Sequence, residues 1–532
     1  MNMPLLTVEN LQLSFADEPV IKGISFNIYK GETFALVGES GSGKSLAALS
    51  VIRLHPAQAT LQADSIQFAE IDILRTPEAE LCTVRGQRVA MIFQDPMSSL
   101  NPVMSIGQQI AETIQLHFSL TKRLCTAKVL QLLEQVGIPD ASRRINEYPH
   151  QLSGGQRQRV MIAIALAGEP DLLIADEPTT ALDVTIQAQI LKLLKNIQQE
   201  NGMALWLISH DLALVSNMAD RVAVMQSGRI VEAADNNQIF SHAQHQYTQT
   251  LLDALPDINY SAEHEKLPTP AILKLTGFKV YYPIRKGLFK RVVDHVKAVD
   301  DVSFTLLVGK TLALVGESGC GKTSLGKGLL NLIPSTAGQV EFAGVDLASL
   351  SQEELRAQRS AMQIVFQDPF AAMNPRMLIL DIIAEGIRTL QPDIDTQECI
   401  TTVSALLKQV GLDETALYRY PHEFSGGQKQ RICIARALAV KPRLIVCDEP
   451  TSALDVSVQK QIIELLKHLQ KTENISYLFI THDLAVVAEI ADEIAVMYQG
   501  KIVEYGTVDQ VLRHAKHPYT QKLLSAVPVL MQ

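Results

Sequence analysis

The sequence predicts an α/β fold built twice: two tandem phosphate-loop units, each with a mainly parallel sheet at its core. Three observations lead there. The pattern Gly-x-x-x-x-Gly-Lys-Ser/Thr occurs at 38–45 (GESGSGKS) and again at 316–323 (GESGCGKT). Several short motifs recur behind it in nearly constant register. Continuously apolar segments of strand length alternate with helix-length segments, the order expected of a parallel sheet with crossover helices.

Each phosphate loop follows an apolar run, 34–37 or 312–315, and precedes a helix-compatible stretch. That setting suits anion binding, because glycines bring backbone N–H groups around phosphate oxygens and the helix N-terminus behind them favours negative charge. The candidate binding residues are Gly38, Glu39, Ser40, Gly41, Ser42, Gly43, Lys44 and Ser45, with Gly316, Glu317, Ser318, Gly319, Cys320, Gly321, Lys322 and Thr323 in the second copy. Lys44 and Lys322 reach toward the β/γ-phosphates of a nucleotide, and Ser45 and Thr323 offer a hydroxyl to Mg²⁺.

The register identifies a tandem duplication. Lys44 and Lys322 are 278 residues apart and Gln94 and Gln367 are 273 apart. Ser153 and Ser425, Asp176 and Asp448, and His210 and His482 are each 272 apart. Domains are expected at 1–256 and 271–532, joined by a linker at 257–270 (DINYSAEHEKLPTP), where prolines and charges interrupt periodicity. Within each half a β-rich opening leads to the phosphate loop, a helical region at about 104–165 or 377–437, and then short apolar strands. LLIADE at 172–177 and LIVCDE at 444–449 read as buried parallel strands. The following segment puts Ile186, Ile190, Leu193, Leu194 and Ile197 on one helical face.

Composition sets broad limits. The chain has 532 residues, 47% hydrophobic and 20% charged, ample for two cores. A net charge of −10 disfavours a nucleic-acid surface. The N-terminus carries no charged n-region followed by an apolar stretch, so no export signal is expected, and no run reaches 18 apolar residues. The six cysteines, at 82, 125, 320, 399, 433 and 447, form no CxxC pair and suit reduced, cytosolic thiols.

Chemistry assigns roles to the acidic strands. Asp176 and Asp448, at the C-terminal ends of sheet strands beside a phosphate loop, suit the Mg²⁺ shell, and Glu177 and Glu449 suit the orientation of an attacking water. Read alone, His210 and His482 fit core or capping positions, and Gln94 and Gln367 fit turns. Asp183 and Asp455 read as caps of the helices that follow them. Cys320 replaces Ser42 at a helix N-terminus beside a lysine. Its thiolate is expected to be favoured, so that alkylation marks it first among the six cysteines and Mg-ATP protects it.

With LSGGQ at 152–156 and FSGGQ at 424–428, each half resembles the nucleotide-binding domain of an ABC (ATP-binding cassette) transporter over essentially its full length. The resemblance implies an antiparallel β subdomain and a helical subdomain around each sheet, and a head-to-tail pairing of the two cassettes. Site one then combines the first phosphate loop, Gln94, Asp176, Glu177 and His210 with Ser425, Gly426, Gly427 and Gln428. Site two combines the second loop, Gln367, Asp448, Glu449 and His482 with Ser153, Gly154, Gly155 and Gln156. It further implies that both histidines contact the γ-phosphate, that Gln94 and Gln367 sense the metal and the membrane subunit, and that Asp183 and Asp455 touch the opposite cassette. Phe15 and Tyr282 sit where the family stacks an aromatic on adenine; a core role is equally consistent with their sequence setting. Neither glutamate, histidine nor signature serine is replaced, so hydrolysis is expected at both sites, with ATP and Mg²⁺ as the ligands.

The tails HQYTQTLLDALP at 245–256 and HPYTQKLLSAVP at 517–528 resemble those of peptide and nickel importer ATPases, as do DPMSSLNP and DPFAAMNP after the glutamines. The tails also read as amphipathic helices that bury Leu251, Leu252 and Leu255. The layout is most similar to duplicated ATPases of peptide and microcin C importers, with fused glutathione-importer ATPases close behind. No cysteine lies between 125 and 320 or beyond 447, so the iron–sulfur cluster of some relatives is not expected. The implied function is ATP-driven peptide uptake from the cytoplasmic face of the inner membrane. The chain would be peripheral and work through two membrane-spanning permease subunits and, beyond them, a substrate-binding protein. The rivals are a twin-cassette factor acting on ribosomes or nucleic acid, for which 257–270 supplies no long charged linker, basic arm or zinc-ligating cysteines, and a regulatory module without turnover, disfavoured by the intact glutamates.

Overall fold

The computed structural model describes residues 3–16, 18–180, 182–255, 269–286, 291–452 and 454–527. Most of the expected linker at 257–270, and the last residue of each tail motif, lie outside these.

Each half is organised around a six-stranded sheet. In the first the order is Arg229–Asp235, Arg221–Gln226, Thr33–Val37, Ala204–Ser209, Leu172–Asp176, Val89–Ile92. All neighbours are parallel except the first pair. The second half repeats this order with Lys501–Thr507, Glu493–Tyr498, Thr311–Val315, Ser476–Thr481, Leu444–Asp448 and Met362–Val365. The central strands are buried on both faces, which is why they read as unbroken apolar runs.

Alternation along those strands splits the core in two. Ala35, Val37, Leu173, Ala175, Leu205 and Leu207 face the helical layer. Phe34, Leu36, Leu172, Ile174, Trp206 and Ile208 face the phosphate-loop helix and an antiparallel sheet. That second sheet comprises Pro4–Phe15, Glu18–Tyr29 and three short strands in the first half. In the second half its hairpin is longer, Ala271–Lys286 against Arg291–Leu307.

The helical layer contains Ile106–His117, Lys122–Gln135 and Gly154–Leu166, matched by Ile379–Leu390, Thr396–Gln409 and Gly426–Leu438. Behind each acidic strand runs an 18-residue helix, Val184–Asn201 or Val456–Glu473, closed by a left-handed residue, Gly202 or Asn474. On the first, Ile190, Leu194 and Ile197 are fully buried, while Ile186 and Leu193 pack half-buried on the same core. The tails form helices Gln246–Asp253 and Pro518–Ser525, with Leu251 buried and Leu252 and Leu255 half-buried.

Candidate nucleotide site

Close packing dictates the phosphate loops. A Cβ on Gly38 would fall 2.1 Å from the Met225 carbonyl oxygen, and on Gly316 2.2 Å from that of Met497, so only glycine passes there. Gly41 and Gly319 have free space but φ near +80°, a glycine conformation. Lys44 Nζ turns back onto the loop and donates to the carbonyls of Gly38 (2.7 Å) and Glu39 (2.8 Å); Lys322 does the same to Gly316 (2.6 Å) and Glu317 (3.1 Å). Burial lowers the Lys44 pKa, against the pull of Glu177, Asp455 and Asp176.

The acidic strands meet the loops as the sequence places them. Ser45 Oγ donates to Asp176 Oδ1 at 2.9 Å, and Thr323 Oγ1 to Asp448 Oδ1 at 3.0 Å. Burial pushes the Asp176 carboxyl up to about 6, with Glu177 adding to the shift, and raises Asp448 likewise. Burial also opposes charge on Glu177, but the neighbouring His210 outweighs it and holds the carboxyl near 2; His482 acts similarly on Glu449.

Each glutamate is gripped from several sides. Gln94 Nε2 donates to Glu177 Oε2 at 2.7 Å and Thr180 Oγ1 to the same oxygen at 2.9 Å, while His210 Nδ1 stands 3.1 Å from Oε1. In the second half Gln367 Nε2 donates to Glu449 Oε2 at 2.8 Å, and His482 Nδ1 is 3.5 Å from Oε1. Both glutamates hold a left-handed backbone, φ 46°, and donate their N–H to Ile208 and Ile480 at 2.9 Å. A non-glycine residue held there costs about 1 to 3 kcal/mol, a strain typical of functional positions.

The signature residues have a local logic that the sequence reading missed. Ser153 and Ser425 are N-caps, and with Gln156 and Gln428 they form capping boxes, since S-G-G-Q is also S-x-x-Q. Gly155 and Gly427 let the 18-residue helix approach: a Cβ would meet Ile186 Cγ2 at 2.8 Å or Val458 Cγ1 at 2.4 Å. Among the described residues the caps bond within their own turns, with no hydrogen bond to the opposite phosphate loop.

Hydrogen bonds between the halves come instead from Asp455 and the helix it opens. Asp455 Oδ1 accepts the Ser40 N–H at 2.7 Å, Ser457 Oγ donates to the Glu39 carboxylate, and Lys460 Nζ donates to the Asp253 carbonyl at 2.8 Å. On the other side Asp183 and Val184 line a small cavity with Gly316, Glu317 and His482. Asp183 caps its own helix through Ile186 N–H at 3.1 Å. The expectation that Asp455 does so too is corrected: its carboxylate is engaged across the interface and makes no cap bond.

Phe15 packs half-buried on the core of the antiparallel sheet. Tyr282 is exposed, and its hydroxyl lies 3.3 Å from Ser324 Oγ, one residue beyond the phosphate loop. Cys320 departs from expectation. It is 7% exposed, and burial pushes its thiol pKa up despite Lys322, whereas Cys82 is exposed. The cost of desolvating a thiolate in this buried site outweighs the pull of Lys322 and the neighbouring backbone N–H groups.

The tail tyrosines were also missed. Tyr247 Oη accepts the Glu39 N–H at 3.3 Å and Tyr519 Oη accepts the Glu317 N–H at 2.9 Å, so both tails reach the phosphate loops. Their separation of 272 residues, the same as that of the acidic strands, was the available signal.

Residues 21–180 and 299–452 match the family described as ABC transporter, and residues 231–277 and 503–532 match the oligopeptide/dipeptide transporter C-terminal region. The chain is 48% identical to the peptidoglycan transport ATP-binding protein YejF of Agrobacterium fabrum, covering 98% of this chain and 96% of that one. It is 47% identical to the uncharacterized ABC transporter ATP-binding protein YejF of Escherichia coli K12 (99% and 100%). To the glutathione import ATP-binding protein GsiA of Escherichia coli O157:H7 it is 46% identical (99% and 90%). No helix among the described residues is long and apolar enough to cross a membrane. With a phosphate loop, an acidic strand and a signature turn present in each half, the chain belongs to the ABC transporter family, as one of its ATP-hydrolysing subunits.

Proposed function

We propose that this ATPase powers uptake of peptides or peptide-containing solutes through two separate permease subunits fed by a substrate-binding protein, working at the cytoplasmic face of the inner membrane. The observation that carries the solute class is the oligopeptide/dipeptide transporter C-terminal region, matched at the end of each half. Relatives named for peptidoglycan and for glutathione transport agree with it, since both solutes contain peptide bonds.

In this reading the cassettes at 1–256 and 271–532, joined by 257–270, form two composite sites. Lys44 and Lys322 exchange their loop carbonyls for phosphate oxygens when ATP binds. The hard oxygen donors Ser45 and Asp176, with Gln94 nearby, suit Mg²⁺, as do Thr323, Asp448 and Gln367. Bound there, Mg²⁺ supplies neutralisation of phosphate charge. Glu177 and Glu449 stay ionised and accept a hydrogen bond from water, orienting it, while His210 and His482 hold the carboxylates and face the γ-phosphate. Ser153 to Gln156 and Ser425 to Gln428 close on the opposite nucleotide. Tyr282, exposed beside the second loop, suits adenine stacking better than the half-buried Phe15.

The test is uptake of a labelled short peptide by cells expressing the chain with its permeases. Transport is expected with the natural chain and lost in the Glu177→Gln, Glu449→Gln double variant. Peptide uptake equal in the two would reject the assignment.

A further inference from the structure

The tail helices lie between the phosphate loops and the opposite cassette. Each is fixed by the same three contacts. A carboxylate accepts two N–H groups before the helix: Glu232 from Gln244 (2.8 Å) and His245 (3.2 Å), Glu504 from Lys516 (2.7 Å) and His517 (3.2 Å). His245 Nδ1 and His517 Nδ1 cap the helices by accepting the N–H of Tyr247 and Tyr519, both at 3.2 Å. Leu251 and Leu523 bury the inner face.

So anchored, each helix presents one phenol to one backbone group, the N–H of the second residue of its phosphate loop. A packing role alone does not explain why both hydroxyls, 272 residues apart, select equivalent donors, the N–H groups of Glu39 and Glu317. Both phenols are protonated at neutral pH, and burial raises their pKa further, that of Tyr247 to about 12, so each hydroxyl carries a proton to donate. The Glu39 carboxylate receives Ser457 Oγ from the second cassette. Lys460, one turn further along that helix, donates to the Asp253 carbonyl at the C-terminal end of the first tail helix. The second tail helix packs against Val184–Asn201 of the first cassette, where Ala188 stands in the place of Lys460, so that this contact is one of packing.

We propose that Tyr247 and Tyr519 are positioning residues for ATP binding: each fixes its phosphate loop and, through its tail helix, ties that loop's geometry to docking of the opposite cassette. The proposal rests on the phosphate loops' binding ATP, as argued above. The geometry accounts for a tail retained in both halves although it contributes no group to the phosphate cradle.

The experiment uses the full chain, with steady-state kinetics in Mg-ATP and thermal melting. Tyr247→Phe with Tyr519→Phe removes two hydroxyls and no packing volume. The double variant is expected to raise KM for ATP about threefold to tenfold, the range that a neutral hydrogen bond covers, with kcat within about twofold and an unchanged melting midpoint. Lys460→Ala is expected to raise KM too, and combined with Tyr247→Phe to add less than the sum, since both act through one helix. An unchanged KM in the tyrosine double variant would overturn the proposal, as would a fall in kcat and melting midpoint at constant KM. Full additivity with Lys460→Ala would overturn the link to the opposite cassette. Nucleotide binding that survives Lys44→Ala with Lys322→Ala would instead defeat the underlying site assignment, a failure separable from the others.

Discussion

The Asp455 carboxylate accepts the backbone N–H of Ser40 at 2.7 Å, so an aspartate that opens a helix in the second cassette is spent on the phosphate loop of the first. Its counterpart Asp183 stays at home and caps its helix. The two positions therefore separate a stability role from an interface role. Asp183→Ala is expected to lower the melting midpoint by the equivalent of about 1 kcal/mol, the usual worth of a helix cap. Asp455→Ala should leave melting nearly unchanged and lower ATP turnover. Melting curves and ATPase rates on the two variants decide it, and a larger melting loss in Asp455→Ala would contradict the assignment.

Replacing Glu177 and Glu449 by glutamine keeps the shape and most hydrogen bonds of each site but removes the charge proposed to orient water. Each single variant should retain nucleotide binding and lose part of the turnover, and the double variant should lose about 100-fold or more. Equilibrium binding beside steady-state hydrolysis checks this; full activity in one single variant and none in the other would mean that the sites are not equivalent.

Thiol reactivity should follow exposure. An alkylating reagent is expected to modify Cys82 first and Cys320 slowly, because Cys320 is buried and its thiol is held protonated. Cys320→Ser should be active, since Ser42 fills the same place in the first loop. Time-resolved mass mapping reads the order directly, with Cys320 ahead of Cys82 as the contrary result.

The signature glycines should be intolerant of one added methyl. Gly427→Ala places a carbon 2.4 Å from Val458 Cγ1 and Gly155→Ala one 2.8 Å from Ile186 Cγ2. Both are expected to destabilise by about 1 to 3 kcal/mol, Gly427→Ala more, as overpacked sites do. Thermal melting measures the order.

The sequence disclosed what is local or repeated. Phosphate loops, acidic strands and the helical layer each carry a contiguous pattern, and duplication tells each pattern from accident. Relationships that depend on one distant neighbour stayed hidden. Nothing near Asp455 distinguishes it from Asp183, because the difference is Ser40, 415 residues away. Cys320 was misjudged for the same reason: the helix N-terminus is visible in the sequence, while the core that buries the thiol is assembled from other segments.

Glu177 and Glu449 each keep a carboxylate on a backbone that glycine or asparagine would adopt with less strain. A protein library screened only for heat resistance would therefore drift toward Gly or Asn at these two positions and return robust, inert molecules. At this pair of φ angles, stability and the proposed hydrolytic role of the carboxylates pull in opposite directions.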